Sequence, residues 1–284
     1  MDFLGQSIPP FFERYIGKPD ARVSRWVLLN SPAYLVGIVT GYFLTLLTLN
    51  RLMKNRKPFD LRLVIIVYNA LQTCFSAYIC KEVFMSAYLA DYSLSCTPVG
   101  KGSDELVDRM ANTFWYFYLS KVFDLCNTVF FVLRKRQRQL SFLHLYHHST
   151  MIFNWYIGSL YSPGGQAFFS VFCNALVHVI MYLYYLLSAM GPQMQKYLWW
   201  KRYLTQIQLI QFFVVILHLI VGMYNRCKAP FWLNCFTIGY LLTMVALFAN
   251  FYKVAYKSKR GTLKRKRRKS RSYDFKAGGD FKYD

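Results

Sequence analysis

The chain has 284 residues, of which 55% are hydrophobic and 19% aromatic, and it carries a formal net charge of +22. So apolar a composition excludes an ordinary soluble domain. The reading is an all-α polytopic membrane protein with seven transmembrane helices and a polar reaction cavity in the cytosolic half of the bilayer.

Residues 1–30 are expected to form a lumenal segment lying on the membrane surface. Pro9, Pro10 and Pro19 interrupt it, with Phe11, Phe12, Tyr15, Trp26 and Leu28 between charges. No basic-then-apolar signal with a small-residue cleavage site opens the chain, so the first apolar stretch is expected to stay as an anchor. A helix needs about 20 residues to cross a bilayer. Seven stretches qualify: 32–50, 63–85, 109–133, 141–161, 165–189, 201–224 and 231–256. They make residues 31–256 the transmembrane domain that would carry any chemistry. Residues 257–284 form a basic tail, too charged to pack and expected to be disordered.

The connections set the orientation. Arg51, Lys54, Arg56, Lys57 and Arg62 surround the first, and Arg134, Lys135, Arg136 and Arg138 fill the third. Lys196, Lys201 and Arg202 mark the fifth. The connection 86–108 is instead acidic, with Asp91, Asp104, Glu105 and Asp108, and 162–164 is uncharged. This alternation puts the N-terminus in the lumen and the C-terminus in the cytosol. Pro58 disfavours helix at Lys57, Ser162-Pro-Gly-Gly165 makes a tight hairpin turn, and Gly191-Pro192 ends the fifth span. Of seven cysteines, Cys74, Cys80, Cys126, Cys173 and Cys235 fall in spans and read as small hydrophobes. Cys96 and Cys227 fall in lumenal connections, where a disulfide between them is permitted.

Chemistry concentrates at His144-Leu-Tyr-His147-His148, which holds three of the five histidines. At i, i+3 and i+4 the three imidazoles share one helix face, each a polar ring needing partners away from water. Depth follows from a rise of about 1.5 Å per residue. His147 and Asn127 then lie roughly 9 Å from the cytosolic end, Asp124 about 14 Å, and Gln211 and His178 about 15–16 Å. Lys121, Asp124 and Thr128 share a face, with Asn127 beside them. Asn174 and His178 follow at i, i+4, Thr205 and Gln208 precede Gln211, and Asn69 and Gln72 join from the second span. Polar groups do not face lipid at low cost, so this slab should surround a cavity. The bland alternatives are a structural Lys121–Asp124 ion pair and helix glue by Gln208 and Gln211. His218 reads as structural.

Three functions fit such a slab. A histidine-box di-iron lipid oxidase would use HxxHH spacing, but only four histidines lie at usable depth. A seven-helix lipid-binding or receptor protein explains the topology without the shared histidine face. Acyl chemistry explains both, since a neutral imidazole serves as nucleophile or base and amides stabilise an oxyanion. Basic loops at the mouth suit coenzyme A phosphates. Cys126 and Cys173 point away from the polar faces, which disfavours a cysteine nucleophile.

The pieces NRKPF at 55–59, KVFDLCNT at 121–128, FLHLYHH at 142–148, NALVHVIMYLYY at 174–185 and TQIQLIQF at 205–212 stand in the order of a known family. The chain resembles the very-long-chain fatty acid elongases of the endoplasmic reticulum, most nearly the animal branch with glutamine (here Gln139) five residues before the first histidine. The family pattern KxxExxDT is altered here, with Asp124 for the glutamate and Asn127 for the aspartate. Asn127 keeps an acceptor and adds donors. The resemblance implies condensation of a long-chain acyl-CoA with malonyl-CoA to 3-ketoacyl-CoA, CO2 and CoA, in a multi-pass membrane protein of the endoplasmic reticulum. The depth and spacing of the polar groups add the expected catalytic set of His147, His178, His144, His148, Asp124, Asn127 and Lys121. Here His147 attacks the acyl thioester or acts as base, oriented by Asp124 or Asn127, and His178 with Asn174 or Gln208 stabilises an enolate. Substrate would be bound by Asn174, Tyr182, Gln208, Gln211 and Asn69, with Arg56, Lys57, Lys201 and Arg202 at the mouth. No metal and no cofactor beyond the two CoA substrates is expected. The implied partners are the bilayer, the other elongation-cycle enzymes and a second copy of the chain, with no nucleic acid.

Overall fold

In a computed structural model the described residues run from 18 to 258. The basic tail beyond residue 258 and the first part of the N-terminal segment lie outside them, while residues 257 and 258 continue the end of the last helix in a π-helical turn, Lys253–Ser258. The described residues contain no strand and eight α-helices. These are α1 (Pro32–Met53), α2 (Arg62–Leu89), α3 (Asp104–Asp124), α4 (Cys126–Leu133), α5 (Phe142–Tyr161), α6 (Phe168–Ala189), α7 (Lys201–Tyr224) and α8 (Phe231–Tyr252).

Local chemistry sets the boundaries. Ser31 caps α1, accepting from the Ala33 amide at 3.2 Å, and Pro32 takes the first helical position. Ser141 caps α5 by accepting from the His144 amide at 3.2 Å, which fixes the histidine box in the first two turns. Asp104 and Glu105 favour the positive start of α3, so that helix begins before the expected residue 109. Gly164 at φ +119° and Gly165 at φ +51° turn the chain between α5 and α6. A Cβ on Gly165 would lie 2.7 Å from the Val99 backbone nitrogen, so no larger residue fits there.

One expected span is divided. The stretch 109–133 was expected to run as one helix, but the ladder tightens at Leu125. Its amide bonds to Val122 O at 3.2 Å, and its carbonyl accepts from Thr128 N at 3.1 Å. These i→i+3 steps end α3 and start α4, changing the direction in which Asn127 leaves the backbone relative to Asp124.

Among the described residues six stretches are long and apolar enough to cross a membrane: α1, α2, the α3–α4 run, 165–189, α7 and 231–256. Their outer faces expose large apolar side chains such as Leu63, Leu71, Phe213 and Leu217, as a lipid-facing surface requires. Helix α5, 20 residues long, is not among the six. Its three histidines and Ser149, Thr150 and Asn154 dilute an otherwise apolar sequence.

Helices α2, α3 and α6 form the centre, where Ile79, Val83, Phe114, Phe117 and Val171 are buried together. Helix α5 packs on α3 through Ile152 and Tyr156 against Tyr118, while α4 packs on α1 through Val132 against Tyr42 and Leu46. Helices α7 and α8 pair through Phe212, Val215, Leu241 and Met244. Residues 18–30 fold back onto the ends of α3 and α5 rather than standing apart. Asp20 N donates to Leu160 O at 2.8 Å, Trp115 Nε1 donates to Val27 O at 2.9 Å, and Val23 and Leu29 are buried. The Arg22 guanidinium grips Asp20 and holds its carboxyl below the usual range. At the same end, a disulfide joins Cys96 to Cys227, and Arg109 bonds Glu82 at 2.6 Å between α3 and α2.

Candidate functional site

Two polar clusters meet beside the histidine box. The larger is centred on Asp124, which is buried between α2, α3 and α6. Its Oδ1 accepts from Gln72 Nε2 at 2.7 Å and from the Tyr182 hydroxyl at 2.5 Å. Its Oδ2 lies 3.7 Å from both Lys121 Nζ and His178 Nδ1. Lys121 Nζ also donates to Asn174 Oδ1 at 2.8 Å and lies 4.3 Å from the Phe117 ring centroid. A buried charge pair is tolerated where further hydrogen bonds support it, as Gln72 and Tyr182 do for Asp124 Oδ1 and Asn174 does for Lys121.

Asn127 closes this cluster from α4. Its amide donates to Tyr68 Oη at 3.1 Å and to Tyr182 Oη at 3.0 Å. Each tyrosine therefore spends its own proton elsewhere, Tyr182 on Asp124 and Tyr68 on Phe123 O at 3.1 Å. The smaller cluster anchors the box itself. Thr128 Oγ1 lies 2.8 Å from His144 Nε2 and 2.9 Å from the Tyr42 hydroxyl. His148 sits between its neighbours, its ring centroid 4.2 Å from that of His144 and 5.3 Å from that of His147. The His147 ring hydrogen-bonds no other described residue and lines a cavity.

That cavity is partly open and runs between α5, α6, α7 and α8. His147, Asn174 and Gln211 line one end. Met151, Trp155, Phe212, Val215, Leu219, Leu241 and Met244 give it an apolar middle. The far end reaches Ser162, Gln166, Ala229 and Leu233. There Gln166 Oε1 accepts from Thr97 N at 3.1 Å and Gln166 Nε2 lies 3.2 Å from His218 Nε2. The disulfide-tied loop therefore braces the cavity floor.

The structure brings together Lys121, Asp124, Asn127, Asn174, His178 and Tyr182, and places His147 and Gln211 on the cavity wall. Other expected roles fall differently. Asp124 and Asn127 face His178 and two tyrosines rather than His147. Gln208 does not line the cavity; its Nε2 lies 3.7 Å from Met181 Sδ. Asn69 is buried but away from the wall. Arg56, Lys57, Lys201 and Arg202 are exposed at the end where α5 and α7 begin. Among the described residues no three His, Cys, Asp or Glu side chains are arranged to hold a metal ion. Tyr42 and Tyr68 are members that sequence reasoning missed. Tyr68 was within reach, standing four residues before Gln72 and so on its helix face.

Residues 27–264 match the model of the GNS1/SUR4 (ELO) family. The chain is 45% identical to very long chain fatty acid elongase 4 of Homo sapiens, over 84% of this chain and 76% of that protein. It is 39% identical to elongase 2 of Mus musculus, covering 88% of this chain and 85% of the relative. It is 40% identical to elongase 7 of Drosophila melanogaster, covering 92% and 80%.

Proposed function

The chain belongs to the GNS1/SUR4 (ELO) family, and from that premise we propose that it condenses a long-chain acyl-CoA with malonyl-CoA to 3-ketoacyl-CoA, CO2 and CoA. The observation that carries this reading is His147, whose imidazole, with no hydrogen-bond partner among the described residues, opens on a largely apolar cavity beside a buried carboxylate–histidine pair. A cavity with this apolar lining and a few polar groups at one end suits a long acyl chain.

In this reading α5 is the seventh span, with the N-terminus lumenal, and the protein resides in the endoplasmic reticulum membrane. The acyl chain lies along the cavity with its thioester at His147, and the exposed Arg56, Lys57, Lys201 and Arg202 meet the CoA phosphates. The unprotonated nitrogen of His147 attacks the thioester carbonyl. The carbon–sulfur bond breaks, CoA leaves as the thiol with the imidazole proton, and an acyl-imidazole remains. Malonyl-CoA then loses CO2 to give an enolate, whose charge His178 and Asn174 stabilise. The enolate carbon attacks the acyl carbonyl, the carbon–nitrogen bond breaks, His147 leaves as neutral imidazole by taking up the one proton the net condensation consumes from solvent, and 3-ketoacyl-CoA departs. Asp124 holds the His178 ring and balances Lys121.

The test supplies purified protein with radiolabelled malonyl-CoA and a panel of acyl-CoA esters, without reductant or oxygen. Label is expected in a 3-keto product, and chelators should leave the rate unchanged. A requirement for stoichiometric metal would move the assignment to an oxidase. Lack of turnover with every chain length would favour a lipid-binding protein.

A further inference from the structure

Midway along its length the cavity wall carries polar groups that the condensation does not use. Asn154 on α5 and Asn234 and Thr237 on α8 all line it. Asn154 Nδ2 is buried with no partner, and neither asparagine amide nor the Thr237 hydroxyl hydrogen-bonds another described residue. Asn234 is itself 91% buried, at a relative exposure of 9%. An amide left unpaired away from water costs free energy, and within a bilayer no bulk water is at hand to satisfy it.

The register of α5 against α8 gathers these groups at one level. Tyr146 Oη and Thr243 Oγ1 lie 3.0 Å apart, Thr150 Oγ1 reaches Tyr240 Oη at 3.3 Å, and the Phe153 and Phe236 rings lie 6.1 Å apart. Continued one residue further, this antiparallel register sets Asn154 level with the turn that holds Asn234 and Thr237. Asn154 is seven residues beyond His147, or about 10 Å along the helix. An extended carbon chain advances about 1.25 Å per carbon, so the belt spans about carbons 8 to 12 of an acyl group attached at His147.

We propose that this belt recognises a hydroxyl carried mid-chain, making hydroxylated long-chain acyl-CoA a substrate class of the site. The inference rests on the elongase reading above. A plain methylene chain leaves both amides unpaired, and a cis double bond offers only a weak π acceptor. A hydroxyl both donates and accepts, which matches two amides and a threonine hydroxyl.

The experiment compares kcat/KM of the wild-type protein for unsubstituted acyl-CoA and for the same chain hydroxylated at carbon 4 or between carbons 9 and 12. The mid-chain hydroxyl is expected to be preferred about tenfold over both, the effect of one net hydrogen bond. Asn154→Leu, Asn234→Leu and the near-isosteric Thr237→Val should each bring that ratio towards one. The positional comparison within wild type needs no variant to fold. Elongation of the unsubstituted chain with no positional preference overturns the belt alone, as does a ratio unchanged in all three variants. Preference for a cis double bond over a hydroxyl at the same position also overturns it. Failure to elongate any acyl-CoA overturns the elongase reading and the inference with it.

Discussion

Asp124 and His178 face each other, Oδ2 to Nδ1, at 3.7 Å across α3 and α6. The other carboxylate oxygen is occupied by Gln72 and Tyr182, and Lys121 approaches the same Oδ2. The carboxylate therefore has room to orient His178 and none to reach His147. This gives the two histidines different surroundings: His178 beside a charged cluster, His147 open to the cavity.

The first prediction concerns the charge pair. Lys121→Met leaves Asp124 without its cation, and Asp124→Asn leaves Lys121 without its anion. Removing one partner of a buried pair costs about 3–5 kcal/mol, because the remaining charge is uncompensated. The double variant should recover much of that stability while remaining inactive. Thermal melting in detergent, read beside turnover, checks both halves. A double variant no more stable than either single one would refute the coupling.

The second prediction follows from Asn127. Its amide donates to both tyrosines, which directs the Tyr182 proton onto Asp124. In Asn127→Asp a carboxylate would compete for that proton and add a second negative charge next to Asp124. Turnover should fall by an order of magnitude or more, although the family pattern has aspartate there. Asn127→Ala should cost about 1–3 kcal/mol of stability by leaving the hydroxyls short of a donor. Unchanged turnover in Asn127→Asp would show that the tyrosines reorient freely.

Much of this site was legible before any coordinates. The 3.6-residue period put Lys121 and Asp124 on one face and Asn174 and His178 on another, and depth counting brought those faces to one slab. What the sequence could not carry was direction within the slab. The tightened step at Leu125 rotates Asn127 towards Tyr68 and Tyr182, and no periodic pattern announces such a step. Gln208 shares the polarity of Gln211 but sits three residues earlier, and only packing against Met181 shows that it misses the cavity. Asn154 went unremarked because a single asparagine in an apolar helix carries no signal until its lack of partners is seen.

The third prediction tests orientation and the disulfide brace. A glycan acceptor introduced within 97–103 should be modified, and one within 134–138 should not. Non-reducing mass spectrometry should recover the Cys96 and Cys227 peptides as one species. Because the bridge closes a sequence separation of 131 residues, Cys96→Ser should destabilise the protein by about 2–5 kcal/mol. The same change should loosen Gln166 through Thr97, so the accepted chain length should broaden. Glycosylation within 134–138 would invert the topology.

The last prediction separates the two histidines chemically. If His147 carries the acyl group, protein given acyl-CoA alone should release free CoA in a burst before malonyl-CoA is added. Mass spectrometry should then find the acyl mass on the 144–148 peptide, since the apolar cavity wall shields an acyl-imidazole from water. His147→Ala should abolish both burst and turnover, by orders of magnitude, as removal of a nucleophile does. His178→Ala should keep part of the burst and lose condensation, because its place beside Asp124 and Lys121 suits the enolate step and not the first acyl transfer. Asp124→Asn should resemble His178→Ala rather than His147→Ala, since the carboxylate touches only the former ring. Free CoA appearing only together with CO2, under single-turnover conditions, would eliminate the acyl-enzyme and leave His147 as a base acting on two thioesters bound at once.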